Sequence, residues 1–64
     1  MAFWVKLTGT DGPLLVNLDQ AEAAVYVPGP VPVVHIILSS GRAVNAKVDI
    51  DALTLLLDAR DLTT

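Results

Sequence analysis

The fold is decided by the stretch Val33-Val34-His35-Ile36-Ile37-Leu38-Ser39-Ser40-Gly41-Arg42-Ala43-Val44-Asn45-Ala46-Lys47-Val48. Its first part has a period of two, with Val34, Ile36 and Leu38 on one face and Val33, His35 and Ile37 on the other. Both faces are largely apolar, which predicts a strand covered on both sides. Ser39-Ser40-Gly41 is turn chemistry, with Gly41 as the residue suited to left-handed backbone. Arg42 to Val48 then alternates cleanly: Val44, Ala46 and Val48 point inward, Asn45 and Lys47 outward. The stretch therefore reads as a β-hairpin.

Toward the N-terminus lies Pro28-Gly29-Pro30-Val31-Pro32, which has too few backbone donors and too many fixed φ angles for a helix or a central strand. It reads as a stiff connecting loop, and stiffness lowers the entropy cost of closing the strands on either side. Ala23 to Val27 is rich in β-formers toward its end and reads as a strand. Asp19 to Glu22 is polar and short, with Asp19 placed to cap a single helical turn. Leu14 to Leu18 is a further strand, turning Leu14, Val16 and Leu18 one way and Leu15 and Asn17 the other. Gly9 to Pro13 is a turn around Asp11-Gly12. Phe3 to Thr8 alternates, with Phe3, Val5 and Leu7 opposite Trp4, Lys6 and Thr8, and completes a second hairpin.

Beyond Val48 the period changes. Asp49 is an N-cap and Asp51 a first-turn carboxylate favoured by the helix dipole. Ile50, Leu53 and Leu57 fall at i, i+3 and i+7, with Leu56 widening the stripe. The spacing predicts one helix over 49–60, capped by Asp49 and closed near Arg60, with residues 61–64 frayed. Ala52 and Leu55 lie off the stripe, so a second apolar face needs cover. The whole chain, 1–64, reads as one domain of α+β class, mainly β: an antiparallel meander of about five short strands with one C-terminal helix. A small barrel and a curled open sheet both satisfy the pattern.

Composition narrows the function classes. A chain of 64 residues buries only about 60% of the surface its unfolded form exposes. Chains this small are stapled by disulfides, a metal or an oligomer. There are no cysteines and one histidine, which excludes a disulfide, a thiolate metal site and a multi-histidine site within one chain. The hydrophobic fraction is 53% and the charged fraction only 17%, more apolar material than a lone chain of this size hides. Disordered chains show the opposite balance. The longest uncharged stretch, Ala23 to Ser40, carries Pro28, Pro30 and Pro32 and cannot span a membrane as a helix. Phe3 to Thr8 is too short for the apolar region of a signal peptide, which points to the cytoplasm. Net charge is −3 and the four cations Lys6, Arg42, Lys47 and Arg60 are scattered, which disfavours nucleic acid as a partner.

No catalytic pattern stands out. His35 has no Cys, Ser or carboxylate at a pairing distance in sequence, and reads as a strand residue partly buried at a subunit contact. Ser39 and Ser40 are turn serines. Asp49 and Asp51 diverge at a helix start and make a poor metal pair. Gly9-Thr10-Asp11-Gly12 lacks the Gly-Lys-Ser/Thr end of a phosphate loop. No cofactor and no enzyme activity is expected. Trp4, Leu15, Ile37 and Leu55 are the candidate interface, the second apolar face that a single copy leaves bare. Arg42 and Lys47, with Trp4, are candidate ligand contacts for a site formed between subunits. The expected role is a non-enzymatic interaction or structural accessory module acting as a homo-oligomer, with another protein as a further partner. The alternative is a module binding a small ligand or nucleic acid.

The order Val5-Lys6-Leu7-Thr8, Asp11-Gly12 and Val16-Asn17, followed by an apolar strand, the Ser40-Gly41 turn, an alternating strand and a short Leu-rich helix, resembles the FlbD-like family of short proteins encoded in flagellar operons. The likeness runs over most of the chain. Pro28 to Pro32 departs from the family pattern, and the closing helix has fewer polar residues. The resemblance implies a small non-enzymatic accessory protein and carries over no catalytic residue.

Overall fold

A computed structural model describes residues 2–62. The chain forms β1 (Trp4–Gly9), β2 (Gly12–Asn17), a 3-10 turn (Leu18–Gln20), β3 (Ala21–Val27), β4 (Val33–Leu38), β5 (Ala43–Ala46) and α1 (Ile50–Leu56). All five strands lie in one antiparallel sheet of order β2-β1-β5-β4-β3. Read round a circle, this is the order of a meander barrel with one seam, β2–β3, left unpaired. The sheet is open, which decides between the two architectures that the alternation allowed.

The two turns with marked chemistry form as the sequence predicts. Gly12 and Gly41 take positive φ, 131° and 89°, which only glycine adopts freely. Leu38 N–H donates to Arg42 O at 2.8 Å and Gly41 N–H to Leu38 O at 3.0 Å, closing the β4–β5 turn. β1 meets β5 at Gly9–Ala46, reinforced by Lys47 N–H donating to Thr8 O at 2.7 Å. On its β2 side Gly9 is required, because a Cβ would collide with the Leu14 side chain and lie 2.9 Å from Gly12 O.

The core is the inner face of this bent sheet. Val16, Leu18, Val34, Ile36, Ala46 and Leu53 are buried, with Val34 and Ile36 at 0% and 1% exposure. Burying side chains of this size is worth about 1.5–3 kcal/mol each. The expected inward sets Leu14, Val16, Leu18 and Val44, Ala46, Val48 all pack in or against this cluster. The outer face is different. Val33, His35 and Ile37 are only half-buried, so the second cover expected over β4 is not supplied by the chain itself. The radius of gyration is 11.5 Å, against about 10.7 Å for a compact chain of 64 residues. Principal extents of 33 × 33 × 20 Å describe a flattened body, one sheet with a small helix on one side.

The helix is shorter than its period predicts, ending at Leu56 instead of near Arg60. Asp49 caps it as expected, its side chain accepting the Asp51 N–H at 3.1 Å. At the far end Asp58 N–H donates to Leu55 O and Ala59 N–H to Thr54 O, at 3.2 and 3.0 Å, while Asp58 takes a φ of 52°. That is the Schellman closure, with Asp in the left-handed position usually held by Gly. Arg60 therefore lies beyond the helix and does not face its dipole. Of the expected stripe Leu53 is buried and Ile50 partly so, while Leu56 and Leu57 stay 46% and 39% exposed. The helical turn after β2 is also capped two residues earlier than predicted: Asn17 accepts from Asp19 N–H, and Asp19 sits in the first turn. The fraying expected of residues 61–64 falls partly outside the described residues.

Candidate functional site

A cleft of about 320 Å³ lies between β2 and the β4–β5 turn. Trp4, Leu15 and Asn17 line one side and Ser39, Ser40 and Arg42 the other, over a floor that includes Val16, Leu38 and Val44. Trp4 stands opposite Asn17 across the β1–β2 ladder, which makes Leu15 its diagonal neighbour, within reach of a large ring. Trp4 and Leu15 are 62% and 68% exposed. The 3-10 turn holds the cleft's end in place. Asn17 accepts the backbone N–H groups of both Phe3 and Asp19 at 3.1 Å. Gln20 O accepts the Ser39 N–H at 2.6 Å, and Ser39 Oγ donates to Gln20 Oε1 at 2.8 Å.

The structure thus brings Trp4, Leu15 and Arg42 together and leaves the other candidates apart. Lys47, Ile37 and Leu55 do not line the cleft. Lys47 follows β5 and points to the outer face, whereas Arg42 precedes that strand. Ile37 is half-buried opposite Ala43 on the outer face, and Leu55 is 83% exposed on α1. His35 Nδ1 lies 2.7 Å from Asn45 Oδ1, a cross-strand pair on that outer face. Ser39 bonds Gln20 just beyond the Ala21–Leu38 end of the β3–β4 ladder, a role that spacing alone did not suggest. Two polar residues at distant positions carry no pattern from which their pairing could be read.

The sheet's two free edges are the other notable feature. In an antiparallel ladder, alternate residues turn their backbone groups to alternate neighbours. Leu38 bonds Arg42, and the same register runs through Ile36–Val44 and Val34–Ala46. Val33, His35 and Ile37 therefore turn to β3, where they meet Val27, Val25 and Ala23. This leaves the N–H and C=O of Ala24 and Tyr26 projecting from the outer edge of β3. On the other side Leu18 N–H donates to Phe3 O at 2.8 Å. The same parity along β1–β2 leaves Pro13, Leu15 and Asn17 on the free edge of β2. Pro13 has no N–H to offer.

Every residue from Glu22 to Pro32 is exposed, although β3 is almost wholly apolar. Val25, Tyr26 and Val27 are 49%, 49% and 43% exposed. The chain as a whole exposes 4806 Å². A folded monomer of 64 residues exposes about 4,000 Å², so roughly 800 Å² is in excess. Among the described residues no helix is long and apolar enough to cross a membrane. No protein-family model, no curated protein and no solved structure matches this chain.

Proposed function

We propose that this protein is a non-enzymatic interaction module that works as a homo-oligomer in the cytoplasm. The observation that carries this is the apolar surface left outside the core: Trp4, Leu15, Val25, Tyr26 and Leu55 are all exposed in a chain without disulfides. Exposed apolar patches on this scale mark association surfaces. The excess of roughly 800 Å² equals what one partner contributes to a standard stable interface, about 800 Å². The FlbD-like resemblance agrees with a small accessory role. Sedimentation equilibrium at tens of micromolar is expected to give a mass of at least two chains. A strict monomer overturns the reading.

The cleft favours a second reading, a binding site for a small apolar ligand carrying an anionic group. An indole, an apolar wall of leucine and valine side chains and one guanidinium are the chemistry such a ligand needs. Titration with anilinonaphthalene sulfonate, read by the emission of Trp4, is expected to saturate and to weaken in Arg42→Ala. No change in emission removes it.

A further inference from the structure

We infer that two copies of this chain join edge to edge through β3, in antiparallel pairing about a two-fold axis, to form one continuous sheet. This rests on the homo-oligomer reading and names the surface that carries it. An exposed strand edge is a template for another strand unless it is blunted by charge, proline, a bulge or a covering element. β3 has a register shift between Ala21 and Ala23 at its start. Past it no strand among the described residues pairs with the outer edge, and Glu22 to Val27 stay exposed although α1 touches β3. From Ala23 to Val27 there is no charged residue and no proline.

Self-pairing is the occupant that the strand's own chemistry selects. Parity restricts the register, because groups that project from one edge must meet groups that project from the other. The register that engages both outward residues bonds Ala24 of each copy to Tyr26 of the other and sets Val25 opposite its own copy across the axis. Copies of a chain with net charge −3 repel one another, and a neutral edge is where identical chains approach at least cost. Glu22 lies at the end of the strand, away from the axis. The loop beyond Val27 ends the ladder, since Pro28, Pro30 and Pro32 offer no N–H. Pairing is therefore confined to one short strand, and the isologous contact closes at two copies instead of propagating.

The test is sedimentation of the full chain and of two variants, with circular dichroism confirming the fold of each. Ala24→Pro removes only an outward N–H, so the internal ladder survives. Losing that bond in both copies weakens dimerisation about tenfold or more. Val25→Lys leaves every backbone bond in place and sets two cations face to face across the axis; it is expected to weaken the dimer at low salt and recover in part at high salt. A folded variant pair that still dimerises like the parent overturns the β3 edge and leaves the homo-oligomer reading standing on another surface. A monomeric parent chain overturns both.

Discussion

β2 and β3 are both edge strands of the same sheet, close in length, and they treat their free edges in opposite ways. β2 carries Pro13 on its open side, is followed by a 3-10 turn tied down by Asn17, and faces the cleft wall of Ser39, Ser40 and Arg42. β3 carries no proline, is apolar on both faces past Glu22, and is exposed from Glu22 onward. The two edges that flank the unpaired β2–β3 seam are therefore not equivalent: one is guarded and the other is open. An edge strand without protection is a pairing site.

The largest effect is expected from a disturbance of β3 on its inward side. Val25→Pro removes an N–H that parity assigns to β4, and is expected to cost about 3 kcal/mol. A chain of this size has only about 3 to 10 kcal/mol of stability in all, so thermal melting should show a large loss of folded protein. The neighbouring Ala24→Pro should leave the melting of the monomer within about 1 kcal/mol. Equal destabilisation by the two would refute the assignment of inward and outward groups. On the β2 side, Asn17→Ala deletes the acceptor shared by Phe3 and Asp19 and should cost about 1–2 kcal/mol in urea unfolding. The smallest effect is expected from Pro13→Ala. Stability should fall by about 0.4–1 kcal/mol, and the new N–H should let species larger than the dimer form at high concentration. If no larger species forms, Pro13 is not what guards that edge.

The strands were legible because alternation survives wherever one face is buried. Val34, Ile36, Val44 and Ala46 signal their face without help, and Gly12 and Gly41 mark their turns. The end of α1 was not legible, since Asp58 occupies a left-handed position that sequence patterns assign to glycine. Nor was the strand order: β1 pairs with β5 at Gly9–Ala46, a contact between distant segments that no local pattern encodes. Of the site, the exposure of Trp4, Leu15 and Leu55 followed from their faces. The convergence of Trp4 with Arg42, and the distance of Lys47 from both, depend on how the sheet bends. The bareness of β3 was missed for a different reason. Its residues are as apolar as those of a core strand, and only the strand order shows that, among the described residues, no strand pairs with its outer edge.

The most direct measurement is amide hydrogen exchange, resolved by residue, as protein concentration is raised through the range where mass doubles. The N–H groups of Ala24 and Tyr26 should become protected in step with the dimer, while those of Leu15 and Asn17 continue to exchange freely. If Ala24 and Tyr26 exchange as fast in the dimer as in dilute solution, β3 is not where the copies meet.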